Sequence, residues 1–244
     1  MATDPRHLHW DARLNVRDLG GFSTRGGRMT RDHTVIRADN LCRLTHHGRL
    51  ALVRYGVRTV IDLRDPKEYG LEHDPFSREE LADVGRTRIP LLTEDFWRVW
   101  RQDTTPHEGD LLILETCRDS LAALFVAIAE APAGGVVLMC HAGKERTGLT
   151  AALVLTVAGV GPETLAREHA LSDRYLEPAY AAWVDAQPDL AAREKLAEAL
   201  RTDPEQMKLT LGALDELYGG IARYLLDSGV SRAELERVRE RVVA

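Results

Sequence analysis

The chain has 244 residues, 44% of them hydrophobic, with a formal net charge of −6 and an isoelectric point near 5.9. That length suits one α/β domain with elaborations, and the acidic balance argues against a general nucleic-acid surface. No apolar run approaches the roughly 18–20 residues that span a bilayer, and the first residues lack the apolar core of a signal peptide.

Residues 1–12 read as a loosely held tail and residues 13–244 as a single domain. Segments 14–22, 27–29 and 34–37 have the pattern of short strands, with Arg25-Gly26-Gly27 as a turn. Thr45 can cap a helix from His46 to about Tyr55, which Gly56 ends. The β-branched run 57–63 predicts a buried strand. A short polar helix near 77–84 and a strand at 87–91 follow. Residues 92–108 look irregular, with Phe96, Trp97 and Trp100 among charges, and the stretch 92–120 is a candidate lid.

From 110 to 131 the apolar set Leu114, Cys117, Leu121, Leu124, Phe125 and Ile128 steps mostly by three and four, predicting one amphipathic helix. A strand at 136–139 comes next, and beyond Ala158 the chain reads as helical. Pro162 and Pro204 suit first helical turns, Met207, Leu211, Leu214 and Tyr218 form a stripe, and Ser231 with Glu234 makes a capping box. The fold class is therefore α/β: a central, mostly parallel sheet flanked by helices, with a helical C-terminal half. Cys42, Cys117 and Cys140 are too few and too scattered for a disulfide framework or a zinc site. Neither a metal nor a cofactor is expected. A reducing cytoplasm fits, with export by a route needing no signal peptide left open.

Residues 136–148 contain the most chemistry. An apolar run ends at Cys140; His141, Ala142, Gly143, Lys144 and Glu145 intervene before Arg146, and Thr147-Gly148 opens a strongly helical stretch. Strand, tight loop and helix N-terminus in that order make a cradle for an anion, because unpaired N–H groups and the helix dipole converge there. A helix N-terminus and nearby cations activate a thiol by lowering its pKa. Arg146 offers a planar fork for two phosphate oxygens, and Gly143 lets the backbone curl around a ligand. Thr147 is placed to hydrogen-bond the sulfur. The pattern points to phosphate-monoester hydrolysis through a cysteinyl-phosphate. A buried core cysteine beside an unrelated arginine is the plain alternative.

The run Cys140-His-Ala-Gly-Lys-Glu-Arg146-Thr-Gly resembles the signature loop of the cysteine-dependent protein tyrosine phosphatases. It is most similar to the bacterial tyrosine/serine branch, which includes dual- and triple-specificity enzymes and a secreted mycobacterial enzyme also active on lipids. Asn15–Gly21, Ile36–Leu41, Val60–Arg64 and Leu214–Gly220 extend the resemblance over about residues 14–230. It implies Cys140 as nucleophile, and Arg146 with the loop from His141 to Gly148 as the phosphate site. Phosphotyrosine proteins or phosphoinositides would be the substrates. Two positions depart from the pattern: Met139 stands where the family has His, and Glu145 where it often has Asp.

A general acid must protonate the leaving oxygen. Glu145 inside the loop and Asp62 at the end of a buried strand are the leading candidates; Asp95, Asp103 and Asp110 lie in the region where other tyrosine phosphatases carry a loop acid. Lys144 reads either as a second phosphate ligand or as a cation raising the local potential. Arg17, Asp18, Arg37 and Asp39 read as structural. The other classes consistent with these residues are a small-molecule or lipid phosphatase and a weakly active phosphate-binding module.

Overall fold

Five short strands, the inner three rich in β-branched and aliphatic residues and the two edge strands polar, build one sheet in the computed structural model, which describes residues 4–69 and 75–244. The strands are β1 (Arg17–Asp18), β2 (Val35–Ala38), β3 (Val57–Asp62), β4 (Gly85–Arg88) and β5 (Gly135–Met139), in the order β1-β2-β5-β3-β4. Only β1 runs antiparallel to its neighbour; the other three pairings are parallel. β5, the most apolar strand, sits in the middle and is buried along its whole length. Alternation of side chains between sheet faces sorts its residues into two cores. Val136 and Leu138 join the larger one, and Val137 and Met139 the smaller one with Trp10, Ile36, Leu52 and Val60.

The smaller core is closed by α1 (His46–Arg54), capped by Thr45. α2 (Glu94–Val99), α3 (Pro106–Thr116), α4 (Arg118–Glu130) and α5 (Glu145–Ala158) follow, and then α6 (Pro162–Asp185), α7 (Leu190–Leu200), α8 (Pro204–Tyr218), α9 (Ile221–Asp227) and α10 (Arg232–Val242). The expected α/β class and helical C-terminal half are thus both present. No helix among the described residues is long and apolar enough to cross a membrane.

Several local expectations need correction. Residues 4–12 are not loose: Leu8 N–H donates to Val16 O at 2.9 Å, and Trp10 is buried in the smaller core. A tryptophan buries about 150–250 Å² and anchors the segment that bears it. Residues 1–3 lie outside the described set. The single helix expected over 110–131 is two, broken at Cys117, where φ is −116° and ψ 28°. Its first part begins earlier, because Thr105 and Glu108 form a capping box around Pro106. The polar stretch near 77–84 forms only short 3-10 turns, Pro75–Ser77 and Glu79–Leu81.

Candidate active site

β5 delivers the chain to Cys140, and α5 begins at Glu145 without a side-chain cap. Between them the backbone turns sharply, and Gly143 takes φ +64°. A Cβ there would lie 2.5 Å from Ala38 O, so β2 presses directly on the loop. The carbonyls of His141, Ala142, Gly143 and Lys144 are all engaged. Asn15 Nδ2 donates to Ala142 O and Gly143 O at 3.0 Å each, Arg37 Nη2 to Gly143 O at 2.6 Å, and Asn40 N–H to His141 O at 2.9 Å. The amides from His141 to Thr147, by contrast, donate no hydrogen bond to any described residue. A row of unpaired N–H groups at a helix start, with the positive end of the dipole behind it, is an anion-binding arrangement.

Behind the loop lies a buried ion network. Glu168 on α6 accepts from Arg17 Nε at 2.8 Å and from Arg37 Nη1 at 2.6 Å, and Ser172 Oγ accepts from both guanidinium groups at 3.2 Å. Burial acts to raise the Glu168 pKa, but the two arginines overcome it and hold the carboxyl at about 2. Arg37 therefore arrives at the loop with its other side neutralised. Arg17, expected with Asp18 to pin the Gly20-Gly21 turn, instead faces Glu168 and Asn15, whereas Asp18 accepts from Gly20 N–H at 2.6 Å and does pin that turn.

Arg146 is held by Glu68, which forks it through both carboxylate oxygens, Nη2 to Oε2 at 2.8 Å. Burial acts to lower the Arg146 pKa, but Glu68 and the charge of Cys140 outweigh it, so the guanidinium stays ionised beside the sulfur. Lys144 is buried and occupied: it donates to Leu200 O, lies 3.2 Å from Asp173 Oδ1 and faces the Tyr180 ring at 5.6 Å. Thr147 Oγ1 is buried without a hydrogen-bond partner among the described residues. Gly148 makes room for His169, whose Nδ1 would sit 2.2 Å from a Cβ at that position. Met139, in the slot where the resemblance places His, is packed in the smaller core.

A cavity of about 460 Å³ opens over the loop, lined by Cys140, His141, Ala142, Lys144, Glu145 and Arg146. Gly143, Thr147 and Gly148 shape the loop from behind and do not line it. Phe96 and Trp100 of the candidate lid, with Ile113 and Tyr180, form its apolar wall, and Asp110 and Glu145 are the carboxyls among its lining residues. Asp62 is not brought there. Its carboxylate accepts from Arg64 Nε at 3.0 Å and Nη2 at 2.9 Å and from Arg86 Nη2 at 2.7 Å. Burial pushes its pKa up, but the two guanidinium groups push it further down, below the usual value.

The model of the Tyrosine phosphatase family matches residues 8–244. The chain belongs to the tyrosine phosphatase family. A tyrosine-protein phosphatase of Nostoc commune is 30% identical over 217 residues, 85% of this chain and 73% of that protein. A putative tyrosine-protein phosphatase of Cupriavidus necator is 29% identical, over 66% of this chain and 61% of its own length. The triple specificity protein phosphatase PtpB of Mycobacterium tuberculosis is 26% identical, over 92% and 95% respectively.

In this phosphatase, sequence reasoning missed Glu68 and Asn15 as partners of the loop and Glu168 as the partner of Arg37 behind it. Glu68 had a local signal, since Asp65-Pro66-Lys67-Glu68 is a capping-box sequence, and both arms of that box form. The Glu68 carboxylate that closes the box also reaches Arg146. The contacts of Asn15 and Glu168 span most of the chain and leave no local trace.

Proposed function

We propose that this tyrosine phosphatase family member hydrolyses phosphate monoesters, phosphotyrosine in proteins foremost, through a cysteinyl-phosphate intermediate. The observation supporting this most directly is that Cys140 and Arg146 line one cavity above a row of unpaired amides. In the first displacement the Cys140 thiolate attacks phosphorus, Arg146 and the loop amides hold the equatorial oxygens, and the P–O bond to the leaving group breaks as that oxygen takes a proton. In the second, water attacks the phosphocysteine, gives up a proton, and thiolate and inorganic phosphate separate. Thr147 assists departure of the sulfur by turning its otherwise unpartnered hydroxyl toward it. Asp62, committed to two guanidinium groups, serves the fold near the site. Phe96, Trp100 and Tyr180 suit a phenyl ring standing on the phosphate site. Lys144, already matched by Asp173 and Leu200 O, is poorly placed for a second phosphate, which favours phosphotyrosine over phosphoinositides.

The test is mass spectrometry of rapidly quenched enzyme beside a substrate panel. Wild type is expected to add one phosphoryl group at Cys140 during turnover, to be blocked by vanadate, and to prefer phosphotyrosine peptides to phosphoserine peptides and inositol lipids. Turnover surviving in Cys140→Ser would refute the covalent route. A higher kcat/KM for inositol lipids would refute the protein preference, and absence of turnover would leave a binding module.

A further inference from the structure

Two carboxyls among the described residues reach the cavity, and they sit in opposite surroundings. Glu145 has Lys144 Nζ at 3.8 Å, and its side chain is 60% open to solvent. Crowding by protein pushes its pKa up and Lys144 and Arg37 pull it back, with that exposure weakening the upward push. Asp110, on the first turns of α3, has no cation within ion-pair distance among the described residues. Its one hydrogen-bond partner among the described residues is Thr210, whose Oγ1 lies 3.1 Å from Oδ2, which leaves Oδ1 unengaged.

Resting on the phosphatase reading above, we propose that Asp110 is the general acid, delivering its proton to the leaving oxygen. Its carboxylate then takes a proton from the water that cleaves the phosphocysteine. Atoms balance over the cycle. One proton leaves Asp110 as the P–O bond breaks and the S–P bond forms, and one returns from water as the S–P bond breaks. Glu145, more open at the cavity mouth, is the neighbouring carboxyl whose charge favours keeping the proton on Asp110 between turnovers.

Three observations support this division. Burial, with the Glu145 charge adding to it, raises the Asp110 carboxyl well above its ordinary value, a shift in the direction that a proton donor needs. A proton donor in this role needs a group that tolerates both of its charge states, and Thr210 provides one. Its hydroxyl lies 3.1 Å from Asp110 Oδ2 and 3.0 Å from Gln206 O, so rotation about one bond turns the hydrogen to Gln206 O when Asp110 is neutral and to Asp110 when it is ionised. His107 Nδ1, 3.0 Å from Thr210 Oγ1, fixes the oxygen during that rotation. Finally, Asp110 shares the cavity wall with Ile113 of the same helix, and Phe96 and Trp100 complete the apolar side on which a leaving phenol would stand.

The experiment measures kcat/KM for aryl phosphates of graded leaving-group acidity, across pH, in wild type, Asp110→Asn and Glu145→Gln. The charged or titrating groups facing Asp110 are Glu145, Lys144, Cys140, His141, the Arg146–Glu68 pair, Tyr180 of α6 and His107 behind Thr210. For phenyl phosphate and phosphotyrosine, Asp110→Asn is expected to lose roughly 10²–10⁴-fold. It should retain most activity on the most activated ester, acquire a steep dependence on leaving group and lose the basic limb of the pH profile. Glu145→Gln should keep the shallow dependence and move that limb to lower pH, since removing the neighbouring charge makes Asp110 easier to ionise. A shallow dependence in Asp110→Asn, or a steep one in Glu145→Gln alone, overturns the assignment. Retained turnover of the activated ester certifies the fold of each variant. Wild type inert even on that ester, with Cys140 unmodified, would overturn the phosphatase reading and this assignment with it.

Discussion

Glu168→Gln keeps the shape of a buried side chain and removes the charge that Arg17 and Arg37 both face. In the wild type its carboxylate lies 2.8 Å from Arg17 Nε and 2.6 Å from Arg37 Nη1, and no side chain of the three is more than 5% exposed. Two guanidinium groups are then left in the interior with their counter-charge gone, and breaking a buried pair in this way costs about 3–5 kcal/mol. Linkage gives a similar figure. A carboxyl moved from 4.5 to about 2 contributes roughly 3 kcal/mol at about 1.4 kcal/mol per pH unit. For a chain of this size each kcal/mol shifts the melting temperature by about 2–4 °C, so a fall of about 6–20 °C is expected.

The assay is urea unfolding followed by circular dichroism, at neutral pH and then at stepwise lower pH. Because the folded pKa is depressed, the Glu168 contribution is complete above the unfolded value of 4.5 and drains away as pH falls toward about 2. The wild-type and variant stabilities should therefore converge on acidification. A loss below about 1 kcal/mol at neutral pH, or two parallel curves of stability against pH, would refute the reasoning.

Two other substitutions separate structure from chemistry. Asp62→Asn leaves Arg64 and Arg86 facing a neutral amide, and should lower stability by about 3–5 kcal/mol while reducing turnover of good and poor leaving groups alike; a loss confined to poor leaving groups would refute its structural role. Gly143→Ala forces a side chain into the left-handed region, at roughly 1–2 kcal/mol, and against Ala38 O as well. Vanadate inhibition should weaken at least about tenfold, and an unchanged inhibition constant would show that β2 does not set the loop.

The reach of sequence reasoning follows the range of the interactions. The run from Val136 to Gly148 declares strand, loop and helix within a few residues, and each of those elements forms where the pattern puts it. Asp62 was visible as a buried strand carboxylate needing a partner, and Arg64, two residues on, is one of its two. Its second partner, Arg86, comes from the neighbouring strand through a register no local pattern reveals. Asp110 looked like one of several acids in an irregular stretch. What singles it out is the folding of α8 behind it, which puts Thr210 on one oxygen. The break at Cys117 was equally hidden, since apolar spacing continues through it.

The bond from Arg17 to Glu168 closes over 151 residues of chain, and Arg37, which grips the loop after β5, ends on the same carboxylate. A growing polypeptide that has released Cys140 and Arg146 but not yet α6 has Arg37, the arginine on the loop, without its Glu168 counter-charge. The proposed oxyanion grip would therefore mature late in biosynthesis, and amino-terminal fragments stopping short of Glu168 should emerge from the ribosome as inert passengers.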